Sequence, residues 1–131
     1  MTRSEQMKSI YRTFEDYLEA ILIIKERQGY VRSTDVASQL GVSQPSVSYS
    51  VKRMMERGFL TRDQNNMLIL TDEGSEIARR TYDRHKQLEK IFISIGVDPE
   101  TAREDACNVE HDLSEKTFQL LCKHFGGDAK K

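Results

Sequence analysis

The sequence lacks tryptophan, and it contains only two prolines and two cysteines. Two cysteines, Cys107 and Cys122, are too few for the disulfide framework on which small secreted domains depend. No apolar run approaches the roughly 20 residues of a membrane-spanning helix, and the longest candidate covers only residues 20–24. Residues 1–8 contain no apolar signal-peptide core. We therefore expect a cytoplasmic protein without a membrane partner.

The sequence also has no overall basic excess, since 20 Lys and Arg oppose 21 Asp and Glu. DNA-binding domains usually carry such an excess. The charge is uneven, however, because residues 1–60 hold nine basic side chains against seven acidic ones, whereas residues 61–131 hold eleven against fourteen. The N-terminal half is therefore better suited to a polyanionic partner.

Three helices are predicted in the N-terminal half. Apolar residues at helical spacing predict a first helix from Thr13 to the stop at Gly29. A short second helix is predicted over residues 33–40, and a third begins around Ser43 and ends at Gly58. The tight turn between the second and third helices is typical of a helix-turn-helix.

A β-hairpin and three further helices are predicted next. Two short apolar runs, residues 59–62 and 67–71, flank a polar turn and predict the hairpin. The fourth, fifth and sixth helices are expected over residues 72–96, 98–111 and 114–126, followed by a frayed tail. The fold class is therefore mainly α, with a winged helix-turn-helix domain over residues 1–74 and an all-helical domain over residues 75–131.

The third predicted helix has the pattern of a helix that reads the DNA major groove. Val47, Val51 and Met54 share one apolar face, which leaves hydroxyl, amide and basic side chains elsewhere. Hydroxyl and basic groups contact phosphates, and an amide near the helix start can pair with a base edge. The predicted DNA-contacting residues are Ser43, Gln44, Pro45, Ser46, Ser48, Tyr49, Lys52, Arg53 and, on the wing, Arg62. The alternative is a winged helix that contacts protein, with solvated serines.

Potential metal ligands recur at helical spacing. Cys107, Glu110 and His111 stand at i, i+3 and i+4, so on one helix a thiolate, a carboxylate and an imidazole share a face. Such groups bind first-row transition metals. Two further pairs have ligand spacing, namely His85 with Glu89 and Asp16 with Glu19.

Each of these patterns also has a structural explanation. Cys107 could be a small buried hydrophobic residue, and Glu110 and His111 could be a solvated pair. Asp16 could belong to a capping box that begins at Thr13. His85 and Glu89 could form an ion pair on the surface. Cys122 and His124 have no partners at ligand spacing, and we expect them to be structural or exposed.

Five segments, in this order, resemble the diphtheria toxin repressor family, and in particular its short manganese transport regulator branch. The resemblance extends from about residue 13 to about residue 125. It implies a homodimeric repressor of metal-uptake genes that binds double-stranded operator DNA, is activated by Mn(II) or Fe(II), and dimerises through helices 4 to 6. We expect no small organic substrate and no SH3-like domain. The segments are FEDYLE (14–19), LGVSQPSV (40–47), LTDEG (70–74), RH (84–85) and DACNVEHDLS (105–114).

The resemblance also implies a metal site. Manganese members usually have an acidic residue at position 107, and iron members combine a cysteine there with a methionine at position 16. This chain combines the thiolate with an oxygen-rich remainder, so both metals stay open. An ancillary site on His85 and Glu89 would lack its third residue, because Arg103 replaces the histidine of the iron branch. The family's metal positions fall on Asp16, Glu19, His85, Cys107, Glu110 and His111.

Asp16 and Glu19 precede the helix-turn-helix, and Cys107, Glu110 and His111 follow it. A metal ion bound by both groups would connect the first helix to the helical domain and fix the spacing of two recognition helices. Two other classes of protein stay open. One is a redox sensor in which Cys107 is oxidised directly, and the other is a metalloenzyme. Because the sequence has no HExxH motif, nucleophile elbow or glycine-rich phosphate loop, we expect a regulator and not an enzyme.

Overall fold

The computed structural model describes residues 2–125, and for residues 3–9 it describes the backbone alone. The predicted order of elements is confirmed across this range. The sixth helix was predicted to end at Gly126, and that glycine and the tail lie outside the described residues. The elements are α1 (Arg3–Gln28), α2 (Ser33–Leu40), α3 (Gln44–Glu56), β1 (Leu60–Arg62), β2 (Leu68–Leu70), α4 (Asp72–Ser94), α5 (Pro99–Val109) and α6 (Glu115–Phe125).

The chain divides into two compact units, Met1–Arg79 and Arg80–Lys131. The first unit contains α1 to β2 and the start of α4, and the second contains the rest of α4 with α5 and α6. In the described part of the chain, every helix is too short or too polar to cross a membrane.

Helix α1 begins at Arg3, so the predicted start at Thr13 is wrong. Neither glycine nor proline interrupts residues 3–12, and Ile10 extends the apolar spacing of Phe14 and Tyr17. A capping side chain acts only where backbone N–H groups lack helical partners. Thr13 lies inside the helix, so the capping-box explanation for Asp16 is also wrong.

The first unit is built around an apolar core. Helix α1 contacts α2 and β2, and α3 contacts α2 and β1. The rings of Phe14 and Phe59 meet edge to face, with centroids 6.1 Å apart. The largest fully buried side chains here are Leu18, Ile21, Ile24, Val31, Val36, Val47, Val51, Met54 and Leu68.

The helix-turn-helix is confirmed, and local capping groups define it. Helix α2 ends at Gly41, whose φ of 69° suits a residue without a Cβ. Ser43 caps α3, because its Oγ accepts a hydrogen bond of 3.2 Å from the backbone N–H of Ser46. Pro45 lies in the first turn of α3, where the missing N–H costs nothing.

Asp35 connects the end of α1 to the start of α2. Its Oδ2 accepts hydrogen bonds from the backbone N–H of Arg32, at 2.9 Å, and from Nε2 of Gln28, at 3.0 Å. The backbone hydrogen bond from Arg32 holds the pKa of the Asp35 carboxyl below its usual value. The charged form of Asp35 therefore stabilises the folded state.

We expect Asp35→Ala to reduce the free energy of unfolding by about 1 kcal/mol at neutral pH, as is typical for a lost cap. A carboxyl with a lowered folded pKa contributes stability above its unfolded pKa and loses it as the pH falls through the folded pKa. The difference between variant and wild type should therefore shrink below about pH 4. Urea denaturation at several pH values measures it, with Glu76→Gln as the exposed control. A difference that stays constant with pH would contradict this interpretation.

The predicted hairpin is confirmed, with Leu60 opposite Leu70 in an antiparallel pair. In its loop, Oδ1 of Asp63 accepts hydrogen bonds from the backbone N–H groups of Asn65 and Met67, at 2.8 and 3.0 Å. Asn66 has a φ of 68°, a conformation that asparagine tolerates well. This Asx turn fixes the tip of the wing.

The hairpin is joined to the start of α4 by a close backbone contact. The Oγ1 of Thr71 donates to the carbonyl of Gly58 at 2.6 Å and accepts from the N–H of Gly74 at 3.1 Å. The backbone of Gly74 lies against that of Phe59, and a Cβ at position 74 would overlap the Phe59 carbonyl oxygen. Only glycine permits this approach.

The second unit has its own small core. Asp98 caps α5 by accepting a 3.0 Å hydrogen bond from the N–H of Thr101, and Ser114 does the same for Thr117 in α6, at 3.1 Å. Both predicted helix starts are confirmed. Cys122 is buried, as expected of a structural residue. The buried core consists of Leu88, Ile91, Ala106, Phe118 and Cys122, with Phe92, Val109, Leu113 and Leu121 packed against it.

Helix α5 ends at Val109, two residues before the predicted end at His111. Glu110 keeps helical dihedral angles, and its N–H donates to the carbonyl of Ala106 at 3.0 Å. The following turn, residues 110–113, connects α5 to α6 and contains both Glu110 and His111. We call it the ligand turn.

Candidate metal centre and nucleic-acid interface

The predicted DNA-reading face of α3 is exposed in the first unit. Val47, Val51 and Met54 are buried, which confirms the predicted apolar face. Its first acidic residue is Glu56, at the C-terminal end, so the rest of the exposed face suits a phosphate backbone. Of the predicted contact residues, Arg53 and Arg62 are half-buried, and Ser43, Gln44, Pro45, Ser46, Ser48, Tyr49 and Lys52 are exposed.

Tyr49 and Arg53 form an ordered pair on this face. Nη1 of Arg53 donates to the hydroxyl oxygen of Tyr49 at 2.8 Å, and the guanidinium carbon lies 5.6 Å from the ring centroid. Tyr49 is nevertheless 63% exposed. A pair that is ordered beforehand loses less side-chain entropy on binding than two free side chains do.

Arg62 connects the wing to the start of α2. Its Nη1 donates to the carbonyl oxygen of Asn66 at 2.8 Å, and its Nη2 donates to Oγ of Ser33 at 3.2 Å. The sequence predicts a phosphate contact for Arg62. The structure adds that this side chain also holds the wing in place.

In the second unit, two of the predicted metal ligands, His85 and His111, lie against a third, Glu110. Its carboxylate is fully buried, with Oε1 lying 3.3 Å from Nδ1 of His85 and Oε2 lying 3.4 Å from Nε2 of His111. The other ring nitrogen of His85, Nε2, lies 3.3 Å from Oε1 of Glu89. Helix α4 supplies His85 and Glu89, and the ligand turn supplies the other two.

These residues fit a divalent transition metal. Within the described part of the chain, neither carboxylate oxygen of Glu110 has a hydrogen-bond partner. A buried carboxylate in that state is costly unless a cation compensates its charge. Donor atoms that bind one ion at roughly 2.0–2.2 Å lie about 3 Å apart, which is close to the separations seen here. Imidazole and carboxylate ligands are compatible with manganese and iron.

The other predicted ligands differ in their surroundings. Cys107 is exposed, whereas the side chains of Glu110 and His111 are buried, so the thiol is not enclosed with them. On α1, in the first unit, Asp16 is half-buried and Glu19 is only 9% exposed. Buried glutamates are rare unless they are paired or bind a cation. Metal binding by these three residues stays a prediction.

Sequence reasoning missed the role of Arg84, which contacts the ligand turn from α4. Its Nη1 donates to the carbonyl oxygens of Glu110 and Leu113, and its Nη2 donates to Oε1 of Glu115. Hydrogen bonds from Gln119 and Arg84 lower the pKa of the Glu115 carboxyl. No local motif reveals these contacts, which span 26 to 31 residues along the chain.

Two family models match the chain. The N-terminal DNA binding domain of iron dependent repressors matches residues 9–66. The metal binding and dimerisation domain of iron dependent repressors matches residues 71–128. The first match contains the helix-turn-helix and most of the wing, and the second contains Arg84 and the ligand turn.

Similar proteins include named regulators. The transcriptional regulator MntR of Escherichia coli O6:H1 is 36% identical over 115 residues, which cover 86% of this chain and 74% of that protein. A solved manganese-dependent transcriptional repressor in complex with manganese has a TM-score of 0.77 at 27% identity, covering 86% of this chain and 52% of its own. The crystal structure of IdeR from T. acidophilum has a TM-score of 0.74 at 27% identity, and the match covers 86% of this chain and 53% of the IdeR chain. The chain thus spans about half the length of these two solved structures.

Proposed function

Because the chain belongs to the iron-dependent repressor family, we propose that it represses metal-homeostasis genes by binding operator DNA as a homodimer when Mn(II) or Fe(II) is bound. The buried carboxylate of Glu110, which lies between two imidazoles without a hydrogen-bond partner among the described residues, carries this proposal. Regulators of this kind act on DNA in the cytoplasm and catalyse no reaction.

The proposed ligand set is the one that the sequence predicts. Three of its members are Glu110 and His111 on the ligand turn and His85 on α4, and both imidazoles lie within 3.4 Å of the Glu110 carboxylate, which supports this part of the set. Asp16 and Glu19, on α1, and Cys107, on α5, would complete it, and Glu89 with His85 is the candidate for an ancillary site. When bound, a divalent cation supplies positive charge for these carboxylates and a shared attachment point for their helices.

Regulation follows from where the ligands lie in the chain. Asp16 and Glu19 precede the helix-turn-helix, and the other ligands follow it. Ligands that share a cation restrict the positions available to α1, and therefore to the recognition helices of a dimer. By linkage, operator DNA must tighten metal binding by the same factor as the metal tightens DNA binding.

A metal titration tests the proposed function. Duplexes selected from a random library with Mn(II) would be labelled, and their binding followed by fluorescence anisotropy. We expect Mn(II) or anaerobic Fe(II) to raise affinity tenfold or more, within the usual range of coupling energies, and EDTA to reverse the effect. Co(II) and Zn(II) serve as comparison ions. Equal affinity with metal and with EDTA would refute metal activation.

The molecular mass in solution tests the proposed homodimer. The second unit exposes four large apolar side chains, Ile93, Ile95, Leu120 and Phe125, which is typical of a surface that becomes covered. Sedimentation equilibrium should give twice the mass of one chain at micromolar concentration. A monomer under the conditions of DNA binding would exclude the dimer.

A redox sensor is the second candidate function, and the exposure of Cys107 favours it. It predicts that peroxide changes DNA affinity in metal-free protein and that Cys107→Ser abolishes this response. A response to metal alone would exclude it.

We expect Lys52→Ala to weaken DNA binding several-fold for every duplex, because Lys52 is exposed on α3 and suited to a phosphate. The slope of log affinity against log salt concentration should decrease by about 1. Lys116→Ala, an exposed lysine on α6, is the matched control. Loss of binding to only some sequences, with an unchanged slope, would show that Lys52 reads bases instead.

A further inference from the structure

We infer that Arg84 is a positioning residue, which sets the geometry of the metal centre by holding the backbone of the ligand turn. The inference rests on the proposed metal-binding function. It assigns a specific task to a side chain that is not itself a ligand.

The guanidinium of Arg84 makes contacts on several sides. Nη1 donates to the carbonyl oxygens of Glu110, at 3.0 Å, and Leu113, at 2.8 Å. Nη2 donates to the carboxylate of Glu115 at 2.9 Å, and the ring centroid of Phe118 lies 4.8 Å from the guanidinium carbon. The side chain is only 13% exposed. Such a planar group has few alternative positions.

The ligand turn needs an anchor of this kind. Helix α5 ends at Val109, so carbonyl groups beyond its last turn lose their helical partners. Arg84 donates to the two carbonyls at the ends of the turn, those of residues 110 and 113. The backbone between them carries Glu110 and His111. Its position therefore depends on α4.

Two consecutive residues of α4 thus act on the same glutamate. Arg84 holds the carbonyl group of Glu110, and His85 faces its carboxylate at 3.3 Å. The backbone contact of one residue and the side-chain contact of the next fix Glu110 at both ends. Metal centres tolerate displacements of only about 0.5 Å, and loss of an outer-shell contact typically costs 10–100-fold in metal affinity.

Electrostatics alone predicts the opposite effect. Arg84 places a positive charge next to a turn that we propose binds a cation, so removing that charge should strengthen cation binding. If Arg84 positions the ligands, the same substitution weakens binding. The sign of the change therefore separates the two effects.

The test measures Mn(II) affinity of the full chain by electron paramagnetic resonance, in which free Mn(II) gives the signal. We expect Arg84→Gln to weaken binding by 10-fold or more, and Arg84→Lys, which keeps the charge but has no planar fork, to weaken it at least 3-fold. Glu115→Gln keeps both carbonyl contacts and should change affinity less than 3-fold. Lys116→Gln removes a nearby exposed charge and should leave it unchanged.

Thermal unfolding with and without Mn(II) supplies a second readout. A purely structural role would lower the Tm of the metal-free and metal-loaded forms equally, whereas a positioning role reduces the increase in Tm that Mn(II) causes. If Arg84→Gln does not fold, Arg84→Lys decides the question. Wild-type or tighter affinity in a folded Arg84 variant overturns the inference. Failure of wild-type protein to bind either Mn(II) or Fe(II) would instead overturn the proposed function itself.

Discussion

Glu110→Gln is expected to weaken Mn(II) binding by about 100-fold or more and to abolish metal-dependent DNA binding. Loss of an outer-shell contact already costs up to about 100-fold, and this substitution removes the charge of a residue that we propose to be a direct ligand. Glutamine has the same shape as glutamate, and replacing a buried carboxylate by an amide removes a desolvated charge. The metal-free variant should therefore be at least as stable as wild type.

Three measurements on the same preparation check this result. Electron paramagnetic resonance gives the affinity for Mn(II), anisotropy gives DNA binding with and without metal, and thermal unfolding shows that the fold is intact. Glu104→Gln, an exposed glutamate on α5, is the matched control and should behave as wild type. If Mn(II) still raised the DNA affinity of Glu110→Gln, the proposed centre would be wrong.

Gly74→Ala should destabilise the first unit by about 2–4 kcal/mol, the range of severe overpacking. Helix propensity predicts the opposite, a gain of up to about 1 kcal/mol, because Gly74 has helical conformation in the first turn of α4. The added methyl group would overlap the carbonyl oxygen of Phe59, which is backbone and cannot rotate away. The cost of this overlap exceeds the gain in helix propensity, so we expect a net loss of stability.

Urea denaturation followed by circular dichroism measures the effect of Gly74→Ala. Ser75→Ala, at the next position of the same helical turn, is the control and should change stability by less than about 1 kcal/mol. A Gly74→Ala variant as stable as wild type would mean that the hairpin and α4 separate without cost.

Most of the fold could be predicted because its helix starts have local signals. Ser43, Asp98 and Ser114 each cap a helix by bonding a backbone N–H three residues later, so sequence alone identifies them. The sequence before Thr13 also contains a possible start signal, because Thr2 and Glu5 have the spacing of a capping box. Residues 3–9, however, have only Met7 as a large apolar side chain, so periodicity does not predict the extension of α1 to Arg3. The wing was predictable from its polar turn.

The metal centre was predictable only in part. Spacing identified Glu110 and His111 as neighbours, but it could not show that the side chain of Cys107 is exposed, because exposure depends on how α5 packs. The contacts of Arg84 and the close approach at Gly74 join residues far apart in sequence. Local periodicity contains no information about such contacts.

The attachment of the wing affects how this protein would choose among DNA sequences. Arg62 bonds Ser33, and the N–H of Leu68 donates to the carbonyl of Val31 at 2.8 Å, so the hairpin is fixed to the segment that precedes α2. These contacts restrain the wing relative to α2, which packs against the recognition helix α3. A duplex must then adapt its own groove width and curvature to the protein, and base steps that deform easily will be favoured even where no side chain reaches them.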